Sequence, residues 1–385
     1  MKIGVIGAGR LGICFALLCE AAGYDVLVSD IREDYVNDLN NRKIITNEPE
    51  VENLLRIAKR FRATTDNREV IRECDLIYTL VATPSLPDGS YDVSAIWNVV
   101  EDIKEENPGK KNFVVGCTTN PGDCENFKKQ LPSNINIFYN PEFIAQGSII
   151  NDLRTADMVL LGTDPFSSDD SIVSDIRKLY EKIQTTRAIV CTMSTTAAEI
   201  TKIAINCFLT TKISYANMLG DVLHHSGCGD EVSAVLTAVG TDSRIGRKYL
   251  GYGFGYGGPC LPRDNRSFAA FAKKVGLEYN IGTVTDEINN QHATFLCDYY
   301  EKINSDKKPF YFESITYKKG TDILTESQQY RLCLDLLDRG YKVYILSDSR
   351  VTPQVCDYLL DKYGERVKFV DDKKYITEPI FIVNL

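Results

Sequence analysis

The stretch MKIGVIGAGRLG (residues 1–12) decides the fold of the N-terminal part of the chain. A short apolar run is followed directly by the glycine pattern Gly7-x-Gly9-x-x-Gly12, and a helical sequence continues to about residue 22. In this order, the first glycine makes a tight turn, the second lets the backbone approach a pyrophosphate, and the third lets helix and strand pack closely. The sequence therefore predicts a dinucleotide site at Gly7, Gly9, Leu11 and Gly12, where the helix N-terminus attracts phosphate.

The next predicted strand indicates which dinucleotide is bound. GYDVLVSD (23–30) ends in Asp30, whose carboxylate would accept hydrogen bonds from the adenosine ribose hydroxyls. This favours NAD, and Arg32 nearby leaves NADP open as a second choice. The alternative for the whole pattern is a tight strand–helix turn that holds no ligand.

Apolar runs alternate with helical segments over most of the chain. This alternation predicts an α/β fold with a doubly wound parallel sheet. From about residue 194 a helical rhythm runs for some thirty residues, a length that suits a bridge between domains or a dimer seam. After about residue 304 the alternation returns, which predicts a second, smaller α/β domain. The predicted strands are residues 1–6, 23–30, 74–84, 111–119, 134–143, 157–163, 310–318, 340–348, 367–370 and 379–385.

Composition excludes several classes of function. The formal net charge of −9 argues against a nucleic acid or an anionic membrane as partner. No run of eighteen apolar residues occurs, and the N-terminal stretch fits a fold better than a secretory signal. Twelve scattered cysteines without a C-x-x-C pair, and only three histidines, predict no metal site. We expect a cytoplasmic protein with reduced thiols.

A second glycine-rich stretch, GYGFGYGGPCLPRD (251–264), contains a thiol. Pro262 suits the first turn of a helix, so Cys260 would lie just before a helix N-terminus, whose dipole stabilises a thiolate. Asp264, four residues later, is close enough to share a site with Cys260. A thiolate beside a nicotinamide can capture an aldehyde as a thiohemiacetal, which a second hydride transfer oxidises to a thioester that water hydrolyses. The alternative is a glycine-rich surface turn with an incidental cysteine.

GFGYGGPCLPRD resembles the catalytic-cysteine signature of the UDP-glucose/GDP-mannose dehydrogenase family, the nucleotide-sugar 6-dehydrogenases. The resemblance extends from the first glycine turn to about residue 350. It implies two Rossmann-like domains joined by an α-helical central domain with a long dimerising helix. We therefore expect an NAD-binding domain at 1–193, a central dimerisation and catalytic domain at 194–304, and a UDP-sugar-binding domain at 305–385.

Three N-terminal segments are similar to motifs of the family. ATPSLPDGSYDVSAI (82–96) implies that Thr83 lies near the dinucleotide, and CTTNPG (117–122) implies that Thr118 lies by the reacting carbon and the cofactor. NPEFIAQGS (140–148) makes Glu142 a candidate for the hydrolytic step and assigns Phe143 to the substrate site. Without the resemblance, Glu142 could cap a helix that starts at Phe143, and the two threonines could bond backbone in turns.

The resemblance continues through the central and C-terminal parts. AEITKIAINCF (198–208) looks like the family helix that carries Lys202 and Asn206. These two residues are four apart, so an ammonium and an amide project from one helix face and could stabilise an oxyanion. On burial statistics alone, a solvated lysine and a surface amide are the better expectation. The resemblance also assigns to the substrate site Arg244, which would come from the partner subunit, together with Gly257 and Lys318.

Three positions depart from the family pattern. Gln146 stands where the family has a second glutamate, so it can orient water or substrate but cannot accept a proton. Thr325 replaces an arginine expected near the cofactor, and Arg263 replaces a lysine before Asp264. If the second glutamate matters for thioester hydrolysis, that step would be slow or would depend on Glu142.

The resemblance implies NAD-dependent oxidation of a UDP-sugar at C6, with UDP-glucose, two NAD and water giving UDP-glucuronate and two NADH. A water held by Asp264 and Thr118 would take the hydroxyl proton, Lys202 and Asn206 would stabilise the oxyanion, and Cys260 would capture the aldehyde. Three alternatives stay open. They are a different nucleotide sugar such as GDP-mannose or a UDP-N-acetylhexosamine, a simple β-hydroxyacid dehydrogenase, and a nucleotide-sugar-binding protein without turnover.

Overall fold

The computed structural model describes residues 1–164, 170–347 and 351–383. The chain divides into two compact units, Met1–Ile203 and Ala204–Leu385. The division into three domains that the sequence suggests stays a prediction.

The first unit is built on an eight-stranded sheet with the order β3-β2-β1-β4-β5-β6-β7-β8. The first six strands in this order, β3-β2-β1-β4-β5-β6, are arranged as in a typical dinucleotide-binding sheet. All neighbouring strands are parallel except β6 and β7, so the predicted α/β fold with a doubly wound, mainly parallel sheet is confirmed. The strands are β1 (Lys2–Ile6), β2 (Asp25–Ser29), β3 (Phe61–Thr64), β4 (Leu76–Thr79), β5 (Lys111–Val115), β6 (Ile135–Tyr139), β7 (Met158–Thr163) and β8 (Ile189–Ser194).

Helices cover the sheet, and two clusters of buried apolar side chains fill the space between the layers. Neighbouring residues of β1 show why both sides are covered, since Val5 belongs to one cluster and Ile6 to the other. The helices are α1 (Arg10–Ala21), α2 (Glu33–Asn40), α3 (Val51–Ile57), α4 (Asn67–Glu73), α5 (Ser94–Glu106), α6 (Asp123–Gln130), α7 (Ile149–Arg154) and α8 (Asp170–Ile183).

The antiparallel pairing of β6 with β7 differs from the expected all-parallel sheet. A parallel return must span a strand length of about 17–20 Å. In the connection from β6 to β7, residues 140–148 form no helix, and α7 has only six residues. Such a helix is about 9 Å long, too short to carry the chain back along the sheet. The strands β3 and β8 were also not predicted.

The second unit combines helices with a four-stranded parallel sheet of order β11-β10-β9-β12. The helix α9 (Thr195–His225) begins in the first unit, and its 31 residues confirm the predicted long helix. Residue 348 of one predicted strand, and residues 384 and 385 of another, lie outside the described residues. The other elements are α10 (Val232–Thr241), α11 (Leu261–Lys274), α12 (Ile281–Ile303), β9 (Phe310–Phe312), α13 (Gln328–Asp338), β10 (Val343–Leu346), α14 (Pro353–Tyr363), β11 (Val367–Val370) and β12 (Phe381–Ile382).

Candidate active site

The turn between β1 and α1 has the shape that a dinucleotide phosphate requires. Gly7 has a φ of +96°, a left-handed conformation that favours glycine. A Cβ on Gly12 would lie 2.0 Å from the carbonyl oxygen of Gly7, so helix and turn are in direct contact there. A Cβ on Gly9 would meet nothing within 4 Å. Gly9 therefore leaves open space beside the N-terminus of α1, and Leu11 packs against the core behind it.

Asp30 lies just beyond β2, as predicted, and its carboxylate is positioned by Arg32. The Arg32 guanidinium donates to both carboxylate oxygens at 2.8 and 2.9 Å, and it lies 4.2 Å over the Tyr35 ring. Burial raises the pKa of Asp30, but the hydrogen bonds and charge of Arg32 outweigh it, and the net shift is downward. An ionised carboxylate beside the glycine turn fits the ribose of NAD, as the turn itself fits the pyrophosphate.

Alanine substitutions at Gly9 and Gly12 are expected to separate an effect on cofactor binding from an effect on stability. We expect Gly12→Ala to lower the melting temperature by several degrees, because its Cβ overlaps backbone that cannot move freely. Gly9→Ala should leave the melting temperature within about 2 °C but weaken NAD binding at least about tenfold, because the Cβ takes the place of the phosphate. Thermal unfolding and NAD titration of the two variants check this. Equal NAD affinity in Gly9→Ala and the wild type would contradict the placement of the cofactor.

Thr83 and Thr118 follow β4 and β5, which are neighbours in the sheet, and β4 lies next to β1. Both threonines are buried, at 6% and 8% exposure. Because the carboxyl ends of parallel strands meet at one edge, both residues lie at the edge that carries the glycine turn. The structure thus brings the predicted cofactor residues of the first unit to one edge of the sheet.

Lys202 is buried rather than solvated. Its exposure is 8%, its Nζ donates to the carbonyl oxygen of Glu142 at 2.7 Å, and it lies 4.5 Å over the Phe143 ring. The expectation of a solvated lysine is therefore wrong, since long-range contacts replace water around the ammonium. The structure brings these three predicted site residues together.

Glu142 does not cap a helix at Phe143, because the next helix along the chain, α7, begins only at Ile149. Its carboxyl instead contacts the hydroxyl of Tyr180 on α8. Desolvation raises the pKa of Glu142 to about 7, although the Tyr180 hydrogen bond and the Lys202 charge lower it. Such a carboxyl can exchange a proton near neutral pH, as a general base or acid requires.

The polar network behind Glu142 was not predicted from the sequence. Tyr180 and Tyr78 both lie within hydrogen-bonding distance of Asn140 Oδ1, at 2.8 and 3.1 Å, and Asn140 Nδ2 donates to the carbonyl oxygen of Leu160 at 3.0 Å. All three polar side chains are at most 2% exposed. Asn140 was visible in the quoted NPEF motif, but no local signal in α8 marks Tyr180.

Cys260 lies at the N-cap of α11, and Pro262 stands in the first turn, as predicted. The glycines before it allow close packing against another segment of the same unit. Gly258 has a φ of +80°, its N–H donates to the carbonyl oxygen of Thr325 at 3.1 Å, and a Cβ on Gly257 would lie 2.3 Å from the carbonyl oxygen of Glu326. The glycine-rich stretch is therefore a fixed loop that presents Cys260 at a helix N-terminus.

Asp264, on the first turn of α11, is fully buried and hydrogen-bonded. One carboxylate oxygen accepts from Asn206 Nδ2 at 2.6 Å, and the other accepts from Arg263 Nε at 3.1 Å. Asn206 is half-buried and bonded to a buried acid, so it is more than the solvated surface amide that burial statistics favour. A thiol, a buried carboxylate and a carboxamide donor lie within one turn of α11 and the facing part of α9.

Arg244 and Lys318 are exposed in the second unit. Arg244 pairs with Asp242 of its own turn at 2.6 Å, with 87% of its side chain exposed. Lys318 follows Tyr317, whose ring lies where a Cβ on Gly258 would point. The structure thus connects the segment of Lys318, but not Arg244, with the loop that carries Cys260.

Gln146, one of the departures from the family pattern, has a defined partner. Its Oε1 accepts from Arg10 Nη1 at 2.8 Å, and Arg10 is the first residue of α1. Because arginine can only donate, this contact fixes which end of the amide faces Arg10. The other two departures, Thr325 and Arg263, contact the Cys260 loop and Asp264 as described above.

Among residues 1–164, 170–347 and 351–383, no group of three or more histidine, cysteine, aspartate or glutamate side chains could hold a metal ion. Within the same residues, no helix is both long and apolar enough to cross a membrane.

Known proteins resemble this chain in both of its units. Residues 1–184 match the NAD binding domain of the UDP-glucose/GDP-mannose dehydrogenase family, and residues 196–291 match the central domain. UDP-glucose 6-dehydrogenase AglM of Haloferax volcanii is 30% identical over 358 residues, which cover 89% of this chain and 82% of that protein.

Solved structures show the same likeness. A UDP-glucose dehydrogenase from Pyrobaculum islandicum has a TM-score of 0.83 at 26% identity, covering 99% of this chain and 89% of that one. A UDP-D-ManNAc dehydrogenase from Pyrococcus horikoshii has a TM-score of 0.76 at 20% identity, covering 99% and 97%, and shows the fold. With its NAD-binding turn and its cysteine loop, the chain belongs to the UDP-glucose/GDP-mannose dehydrogenase family and is an NAD-dependent nucleotide-sugar dehydrogenase.

Proposed function

We propose that the protein oxidises UDP-glucose to UDP-glucuronate. The observation that carries the proposal is the arrangement on α11, with Cys260 at the N-cap and Asp264 buried one turn later in contact with Asn206. The choice of sugar is supported by the relatives reported above at 30% and 26% identity, both of which are named as acting on UDP-glucose.

The cofactor would be held by Gly7, Gly9, Gly12 and Asp30, and NAD supplies the hydride acceptor for both oxidations. In the first oxidation, the C6 hydroxyl loses its proton through a water held by Asp264 and Thr118, and C6 loses a hydride to give an aldehyde. Lys202 and Asn206 stabilise the negative oxygen that develops.

In the second half of the reaction, the Cys260 thiolate adds to the aldehyde carbon, and the oxygen takes up a proton to form a thiohemiacetal. Loss of a hydride from C6 and of the hydroxyl proton then gives a thioester. Glu142 takes a proton from water, the water oxygen bonds to C6, and the C6–S bond breaks to release thiolate and carboxylic acid. Gln146 cannot share the proton transfer, because its amide is neutral and its oxygen accepts from Arg10.

If Glu142 is the base in thioester hydrolysis, kcat depends on the protonation state of its carboxyl and therefore on pH. The carboxylate is the active form, so kcat should rise with pH through about 7, the value to which burial raises the pKa of Glu142. Tyr180→Phe removes the hydrogen bond that lowers this pKa, so the rise should move to higher pH. We expect kcat to fall about fivefold at pH 6.5 but less than about twofold at pH 9.

Tyr78→Phe is the matched control for Tyr180→Phe. It removes a buried hydroxyl from the same network, but that hydroxyl bonds to Asn140 and not to Glu142. Its pH profile should coincide with that of the wild type. The same displacement in both variants, or in neither, would mean that Glu142 does not control the profile.

The sugar is tested by measuring kcat/KM for UDP-glucose, GDP-mannose, UDP-N-acetylglucosamine and UDP-N-acetylmannosamine under identical conditions. We expect UDP-glucose to be preferred by at least about 10²-fold, because a hexosamine adds an acetamide group and GDP-mannose changes both base and sugar. A higher value for another donor would assign the protein to that sugar.

We further propose a homodimer in the cytoplasm. Phe208, Tyr215 and Val222 are spaced by seven residues on α9, and their exposures are 64%, 44% and 51%. Such a stripe suits packing against a second copy, and a light-scattering mass near twice 43.2 kDa would support a dimer.

The cysteines support the proposed compartment. None of the twelve, all of which lie in the described part of the chain, forms a disulfide, as is usual in a reducing compartment.

A further inference from the structure

Glu199, on the first turns of α9, is a buried acid to which none of the steps above gives a role. Its exposure is 0%. Oε1 accepts from Thr119 Oγ1 and from the Cys124 N–H, both at 2.9 Å, and Oε2 accepts from the Gly122 N–H at 2.6 Å. All three donors belong to the segment between β5 and the first turn of α6.

Glu199 therefore acts as a capping group for α6 that comes from another helix. The N–H groups at a helix start have no partner within the helix, and a carboxylate satisfies them best because the helix dipole is positive there. Gly122, the N-cap of α6, has no side chain that could do this and has a φ of +97°. Without Glu199, the N–H groups of Gly122 and Cys124 and the Thr119 hydroxyl would lose this acceptor.

The next turn of α9 holds a second loop. Lys202, three residues after Glu199, donates to the carbonyl oxygen of Glu142 at 2.7 Å. The start of α9 thus fixes the loop of Thr118 through one side chain and the loop of Glu142 through another. Both loops carry a residue to which the proposed function gives a chemical role.

We propose that Glu199 is a positioning residue of the dehydrogenase reaction, which sets Thr118 in register with Lys202. The proposal rests on the proposed function, because it takes Thr118 and Lys202 as groups that act on the substrate. The ionised form matches these contacts, because both of its oxygens only accept and the three partners all donate to them. Burial raises the pKa of Glu199 to about 7, and the N–H groups of Cys124 and Gly122 lower it.

The test is Glu199→Gln, which keeps the size of the side chain but replaces one acceptor oxygen by an NH2 group. That group must face a donor of the loop, so the loop is expected to move while α9 stays folded. We expect kcat to fall about 10²-fold, with the KM of NAD and of the nucleotide sugar within about threefold of the wild type. Hydrogen exchange at the Gly122 and Cys124 amides should be at least about tenfold faster, and the melting temperature should fall by less than about 5 °C.

Glu125→Gln is the matched control. Glu125 also links α6 to α9, by accepting from Thr195 Oγ1 at 2.8 Å, but it bonds none of the loop amides that Glu199 holds. This variant should retain wild-type kcat and amide exchange. If Glu199→Gln does not fold, Thr119→Val decides, because it removes one of the three hydrogen bonds and should lower kcat about fivefold.

A kcat of Glu199→Gln within threefold of the wild type would overturn the proposal, as would equal losses of kcat in Glu199→Gln and Glu125→Gln. The amide-exchange measurement needs no substrate, and kcat can be measured with whichever nucleotide sugar is oxidised. Failure of UDP-glucose as the substrate is therefore distinguishable from failure of the positioning role. A protein that turns over no nucleotide sugar would overturn both.

Discussion

Replacing Cys260 with serine is expected to lower kcat by about 10⁴-fold, as loss of a catalytic nucleophile does. A serine hydroxyl at the N-cap of α11 is far less ionised than a thiol, so it adds poorly to the aldehyde. Without the covalent adduct, the aldehyde carbon has no thiohemiacetal from which a second hydride can leave. Steady-state NADH formation by the purified variant measures the loss.

Cys228→Ser is the control for this substitution. Cys228 lies in the same unit, is partly exposed, and its Sγ lies 3.9 Å from the carbonyl oxygen of Ser226. The kcat of this variant should stay within about twofold of the wild type, because a substitution at the surface, away from the core and from the candidate site, changes little. A Cys260→Ser variant that retained full turnover would refute covalent catalysis by this thiol.

Asp264→Asn is expected to lower kcat by about 10³-fold, within the range that a general acid or base contributes. Asn206 and Arg263 both donate to this carboxylate, so an amide in its place must turn its NH2 group toward one of two donors. The variant loses the charge that would hold the water, and it also disturbs Asn206. A pre-steady-state measurement of NADH formation places the loss in the first oxidation.

Asp286→Asn tests whether any hydrogen-bonded acid of the second unit would have the same effect. Asp286 accepts from Tyr256 and Arg266 at 3.0 and 3.1 Å, and it lies on α12. We expect a lower melting temperature but a kcat within about threefold of the wild type. If Asp264→Asn also lost only stability, the catalytic role of Asp264 would have to be abandoned.

Features encoded by neighbouring residues could be predicted from the sequence. The signal for the glycine turn after β1 is local, because Gly7, Gly9 and Gly12 lie within a dozen residues. The fold that this signal implied is confirmed. The N-cap position of Cys260 follows in the same way from Pro262 two residues later. Such signals need no knowledge of distant parts of the chain.

Features created by distant residues could not be predicted. Burial of Lys202 depends on a carbonyl oxygen sixty residues earlier, and the environment of Glu142 depends on Tyr180 of α8. The alternative in which Glu142 caps a helix at Phe143 also failed for a reason that lies far away in the sequence. Glu48 accepts from the N–H groups of Gly147 and Ile149, just where α7 begins.

The most direct measurement of the central claim is the number of NADH formed per UDP-glucose, with NAD in excess and the sugar limiting. Covalent capture by Cys260 predicts a ratio of two and UDP-glucuronate as the product, with no free aldehyde. A ratio of one, with the aldehyde accumulating, would contradict the thiohemiacetal and thioester route.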